Sequence, residues 1–229
     1  MKLSAPQIDR LYQFTRQHYV EYYDLQTELV DHLANAIEEQ WQENPKVSFE
    51  EALQKEFKKF GVFGFMDVVE KRQAAMNKKY NKIVWNHFKS FFKLPQIIGT
   101  FLSIAILFLS LKNSSHATVI VSIFAIAIMV SFWVAISFSV RKKNKIAKAE
   151  GKKWLFNEII FGYSSIAGLS YLPLQFLIHF ENHYSEIILL MMCVVLVSMV
   201  LLEYIILILI PSKAEEYLYQ TYPEYSISK

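Results

Sequence analysis

The chain has 229 residues, of which 53% are hydrophobic, and its 24 basic and 21 acidic residues give a net charge of +3. The first 70 residues carry thirteen acidic and seven basic side chains, a net charge of −6, and long apolar stretches follow them. This uneven distribution excludes a single water-soluble core. A single cysteine, Cys193, excludes an intrachain disulfide and a multi-cysteine metal site.

Four amphipathic helices are predicted in the first part of the chain. The first three begin at capping residues and carry apolar side chains at helical spacing. The capping residues are Ser4, Asp24 and Ser48, and the fourth helix follows the turn from Gly61 to Gly64. We therefore predict a compact acidic helical domain over residues 1–79, followed by a basic juxtamembrane connector over residues 80–93.

Two runs within this domain carry a family resemblance. They read YYDLQTELVDHLANAIEEQW and SFEEALQKEFKKFGVFGFMDVVEKRQ and lie between Tyr19 and Ala75. Together they resemble the HAAS-type signalling domain, a small helical cytosolic module of bacterial membrane proteins. Where that family places a Leu-Gly-x-Pro-like turn, this chain has Phe60, Gly61, Val62 and Phe63. The resemblance implies a regulatory or protein-interaction role, with a PadR-like transcription regulator as a partner.

Four apolar stretches follow, each close to the roughly 20 residues that a helix needs to cross a hydrocarbon core of about 30 Å. They cover about residues 94–111, 117–140, 154–180 and 187–210. The predicted fold is therefore all-α, a small cytosolic helical bundle followed by a four-helix transmembrane domain over residues 94–210. Residues 211–229 form a cytosolic tail.

The basic residues predict the orientation of these spans. Seven Lys or Arg residues lie between Lys71 and Lys93 and seven between Arg141 and Lys153, whereas the other two connections carry only Lys112. Basic loops stay in the cytosol. We therefore expect a multi-pass protein of the bacterial inner (cytoplasmic) membrane with both termini cytosolic and with the lipid bilayer as a partner. Trp85 and Trp154, near predicted span ends, are expected in the headgroup layer.

The acidic face of the second helix is a candidate partner-binding surface. Its residues are Glu28, Asp31, Glu38 and Glu39. Exposed carboxylates attract a basic protein surface. An ordinary solvated helix face would show the same pattern, so both interpretations stay open.

Two further carboxylates, Glu158 and Glu203, fall inside predicted spans. Carboxylates within a membrane are costly and often mark a pathway or an interhelical contact. Antiparallel helices would bring both to a similar depth near the cytosolic side. They serve either as paired interfacial groups or as part of an ion or proton path.

No Walker-type phosphate loop, nucleophile elbow, HExxH helix or dinucleotide fingerprint occurs in the sequence. We therefore predict no enzyme activity, no cofactor and no metal. Direct nucleic-acid binding is not expected, because the lysine clusters border the spans. The leading hypothesis is a signalling or regulatory adaptor. A small transporter or channel component, which requires a homo-oligomer, and an assembly factor for a membrane complex are the alternatives.

Overall fold

The computed structural model describes residues 2–162, 175 and 185–226, and its regular elements within those ranges are all helical, as predicted. The main helices are α1 (Ala5–Gln17), α2 (Tyr23–Glu43), α3 (Phe49–Lys58), α4 (Met66–Ser90), α5 (Gln96–Lys112), α6 (Ala117–Glu150), α7 (Leu155–Phe161), α8 (Glu186–Tyr204) and α9 (Ala214–Thr221). We refer to α1–α4 as the head.

The predicted helix starts are confirmed at Ser4 and Ser48. The Ser4 N–H donates to Gln7 Oε1 at 2.8 Å, and Ser48 Oγ accepts from the Glu51 N–H at 3.3 Å. Asp24 does not cap α2 as predicted, since α2 begins at Tyr23 with Tyr22 at its N-cap and Asp24 lies inside the first turn. Its carboxylate instead bonds a distant part of the chain, described below.

The turn between α3 and α4 needs glycine for a steric reason. Gly64 has φ +54°, in the left-handed region, and an added Cβ there would lie 2.9 Å from Cζ of Phe57. From this turn α4 runs for 25 residues and passes position 79 without interruption. The predicted head and connector thus share one helix.

Two helical stretches, Ala117–Lys145 and Glu186–Ser212, are long and apolar enough to cross a membrane. They correspond to the predicted second and fourth spans. The predicted first span is α5, whose 17 residues extend for about 26 Å. The predicted third span, 154–180, includes α7 and otherwise lies almost entirely outside the described residues. The described residues therefore contain two candidate spans rather than four.

Helix α8 continues through a π-helical turn, Ile205–Leu209, into Ile210–Ser212. Pro211 lacks an N–H and its ring crowds the carbonyl one turn earlier. A wider π turn relieves that crowding and keeps the helix continuous.

Two hydrophobic clusters hold these helices together. The larger one begins in the head at residues such as Leu11 and Leu33 and continues through Phe156 of α7 to Leu218 of α9. The smaller one joins α5, α6 and α8 around Leu107, Val121 and the buried Cys193. The head core is therefore continuous with the parts of the chain that flank the apolar helices.

Candidate functional site

The start of α2 and the start of α7 are joined by hydrogen bonds. The Tyr23 N–H donates to the Lys153 carbonyl at 2.7 Å, and Asp24 Oδ1 accepts from the Leu155 N–H at 3.0 Å. The Phe156 N–H donates to the Tyr222 hydroxyl at 3.1 Å. Two amides at the start of α7, which have no partner within that helix, thus find acceptors elsewhere. We use the name junction for the region where α2, α4, α7 and α9 meet. It is centred on Tyr23, Asp24, Leu155, Phe156 and Tyr222.

Trp154 is the aromatic centre of the junction. Its side chain is 2% exposed, and its ring centroid lies 5.3 Å from that of Tyr23, 4.9 Å from Tyr222 and 5.2 Å from Tyr225. The ring is therefore enclosed by protein instead of lying in a headgroup layer as predicted. Trp85, by contrast, is 57% exposed.

The second side of the junction joins α4 to α9. Lys79 Nζ donates to Thr221 Oγ1 at 2.7 Å, and the His87 ring nitrogen Nε2 lies 2.7 Å from the Tyr217 hydroxyl oxygen. Lys79 Nζ also lies 5.2 Å from the ring centroid of Phe156. The predicted connector therefore contacts the predicted tail through His87, and the end of the predicted head does so through Lys79.

Burial changes the acid–base properties of the junction. It raises the pKa of the Asp24 carboxyl, while the hydrogen bond from the Leu155 N–H acts in the opposite direction. Burial and the negative charge of Asp24 raise the pKa of Tyr222 far enough to keep its hydroxyl protonated. Desolvation lowers the pKa of Lys79 and that of His87.

The four predicted partner-binding acids differ in whether another described residue contacts them. Glu28 Oε2 lies 3.7 Å from Arg72 Nη2, and Glu38 Oε1 accepts from the Leu3 N–H at 2.9 Å. Asp31 and Glu39 are exposed, and no ion pair within the described part of the chain engages them. At 100° per residue the four positions share about 100° of the α2 surface.

Glu158 and Glu203 have separate partners on α6. Glu158 forms an ion pair with Lys143, and Glu203 accepts from Ser131 Oγ at 2.6 Å. Because Ser131 and Lys143 are twelve residues apart on one helix, these contacts are separated by about 18 Å along its axis. The two carboxylates therefore do not lie at the similar depth that was predicted. They are too far apart for a proton to pass directly from one to the other.

Sequence reasoning missed the junction. Its hydrogen bonds join residues 66 to 142 positions apart, which local periodicity does not report. The aromatic density of the tail, with Tyr217, Tyr219, Tyr222 and Tyr225 in nine residues, is the signal that predicts a buried role for it.

Comparison of the chain with protein-family models, with curated proteins and with solved structures finds no match. The HAAS-type resemblance of the head therefore stays a prediction. Function has to be inferred from the junction, the acidic face and the apolar helices.

Proposed function

We propose that the protein is a signalling or regulatory adaptor of the bacterial inner membrane whose acidic α2 face binds a basic cytosolic partner. The junction is the observation that carries this proposal. A binding head that shares its core with the flanks of the apolar helices keeps a fixed orientation relative to them. A change felt by those helices is thereby transmitted to the binding face.

Exposed apolar side chains support membrane insertion. Phe101 is 61% exposed, Ile123 63% and Ile187 73%. Only 17% and 39% of the apolar windows of the two candidate spans are buried, whereas a core helix of a soluble protein is mostly buried. Contiguous apolar surface on this scale marks contact with lipid or with another protein. Lipid is the simplest environment for three neighbouring apolar helices.

The cytosolic ends of the proposed spans follow from α6 and α7. Lys142 Nζ lies 5.8 Å from the ring centroid of Phe161, so the end of α7 is level with the start of the basic part of α6. The rest of the predicted third span, beyond Gly162, lies outside the residues that the structure describes, and four spans remain part of this proposal. With an even number of spans, head and tail share the cytosolic side.

The acidic face supports a basic partner. Asp31 and Glu39 are exposed, and Asn35 lies between them on the same side of α2. Complementary charge raises association rate and selects among partners. The HAAS-type resemblance makes a PadR-like regulator the first partner to test.

The experiment is photo-crosslinking in cells. A photoreactive amino acid at Asn35 of the full chain is expected to form an adduct with one cytosolic protein. Because two carboxylates are removed, Asp31→Asn combined with Glu39→Gln is expected to reduce that adduct at least tenfold.

The matched control is Glu51→Gln combined with Asp67→Asn, which removes two exposed carboxylates outside the α2 face. It is expected to leave the adduct unchanged. An adduct equally weakened by both pairs, or no protein adduct at Asn35, contradicts the adaptor function.

A further inference from the structure

A cleft of about 570 Å³ opens between the head and the segment that precedes α7. One wall is formed by the end of α1 and the start of α2, and the other by Gly151, Lys152 and Lys153. The charged residues that line it are Arg16, Glu21, Lys152 and Lys153. Three cations and one carboxylate leave a net charge of +2 within the cleft.

The single carboxylate of the cleft is already paired. Lys153 Nζ donates to Glu21 Oε2 at 2.9 Å, and this hydrogen bond raises the pKa of Lys153, which stays charged. Arg16 and Lys152 have no ion pair within the residues that the structure describes. The excess positive charge of the cleft therefore belongs to these two side chains.

Neutral groups hold both cations at the cleft wall. Arg16 Nη1 lies 3.5 Å from Gln26 Oε1, and Lys152 Nζ lies 4.2 Å from the ring centroid of Tyr23. A ring face and an amide oxygen restrict a cation without cancelling its charge. The start of the 21-residue helix α2 at the same wall adds the positive end of a helix dipole.

We propose that this cleft binds a phosphate-bearing ligand, with the Arg16 guanidinium and the Lys152 ammonium as its principal contacts. A guanidinium donates two parallel hydrogen bonds to phosphate oxygens, and an ammonium adds a compact point charge. The ligand bridges the head and the segment before α7, next to the junction. Its binding stabilises the orientation of the head.

A soluble phosphate compound and a phospholipid headgroup share this chemistry. The last ten residues of α6, 141–150, extend about 15 Å from Val140 toward the cleft. That distance exceeds the depth of the headgroup layer on one side of a bilayer, which is about 5–8 Å. A soluble phosphate compound is therefore the ligand source that the test addresses first.

The test uses the full chain in nanodiscs of phosphatidylcholine, titrated calorimetrically with inorganic pyrophosphate. Saturable one-site binding is expected, weakened at least tenfold by Arg16→Gln combined with Lys152→Gln. Lys152→Arg keeps the charge and is expected to retain binding. Lys148→Gln removes an exposed charge of α6 outside the cleft and is expected to change nothing.

A second arm omits pyrophosphate and measures acylation of Lys152 in nanodiscs of phosphatidylcholine with a minority of phosphatidylglycerol. If pyrophosphate does not bind in the first arm but Lys152, and not Lys148, is protected in the second, the ligand is a lipid headgroup. This result supports phosphate recognition by the cleft. Absence of binding and of protection in both arms overturns the proposal. Equal weakening of binding by Lys148→Gln also overturns it, because the attraction is then a general property of the basic surface.

Discussion

The junction and the apolar belt, by which we mean the exposed faces of α5, of the part of α6 up to Val140 and of α8, bury their large side chains differently. In the junction Trp154 and Phe156 are enclosed by protein, whereas in the belt Phe101, Ile123 and Trp133 are exposed. The two regions also differ in their charged groups. The junction buries the Asp24 carboxylate with a hydrogen bond, whereas the belt is almost free of charged side chains. The chain thus has a region with a buried aromatic core and a region with an exposed apolar surface, and the junction lies beside the apolar helices.

The largest effect is expected at the aromatic centre of the junction. Trp154→Ala removes a buried indole and leaves a cavity, so the free energy of unfolding should fall by about 3–5 kcal/mol. Trp85→Ala, at an exposed indole, should change it by less than about 1 kcal/mol. Thermal unfolding of both variants in nanodiscs measures the difference, and equal shifts would remove Trp154 from the core.

The belt is tested by placing a charge on it. Ile123→Lys should oppose membrane insertion by about 3 kcal/mol, since Ile123 faces outward within the candidate span of α6. Val62→Lys makes the same chemical change at a position of the head that is 97% exposed and should have no effect on insertion. The fraction of each variant recovered in membranes is the measurement. Normal insertion of Ile123→Lys would contradict a lipid-facing belt.

An intermediate effect is expected at Asp24. Asp24→Ala leaves the buried Leu155 N–H without its acceptor, which costs about 1–3 kcal/mol of unfolding free energy. Asp24→Asn keeps an oxygen acceptor and should cost less. Denaturant unfolding of the two variants separates them, and an equal loss in both would show that the hydrogen bond is not the source of the stability.

The same residue gives the stability a pH dependence. Burial raises the pKa of Asp24 above its ordinary value of 3.8, so the folded protein holds this proton more tightly than the unfolded chain does. That contribution is fully present below the ordinary pKa and is lost as the pH rises through the folded pKa. The unfolding free energy of the wild type relative to Asp24→Asn should therefore fall from about pH 4 upward. A rise over that window would contradict the buried carboxyl.

The smallest effect is expected on the acidic face. Glu28 is exposed, Arg72 is half-buried and the two lie 3.7 Å apart, so Glu28→Gln should change the unfolding free energy by less than about 1 kcal/mol. A double-mutant cycle with Arg72→Gln measures the coupling. A coupling as large as the effect of Asp24→Ala would mean that α2 and α4 are held by this pair instead of by the head core.

Local sequence patterns predict the helices of the head but do not predict the junction. The apolar stripe of α2 and the capping groups of α1 and α3 are short-range features, and the structure contains them. The position of Trp154 between a basic loop and an apolar stretch predicts a side chain in the headgroup layer. The structure instead sets α7 beside the basic part of α6, where Glu158 pairs with Lys143. No spacing rule reports a contact between Asp24 and Leu155, which are 131 residues apart.

Hydrogen exchange of individual amides in the full chain tests most directly whether head and apolar helices form one unit. The amides of Tyr23, Leu155 and Phe156 donate across the junction. In nanodiscs they should exchange as slowly as the Ile37 amide of the head core, and Trp154→Ala should accelerate these three while Ile37 stays protected. Fast exchange of the three amides in the wild type, with Ile37 protected, would show a head that moves independently and would contradict the coupling.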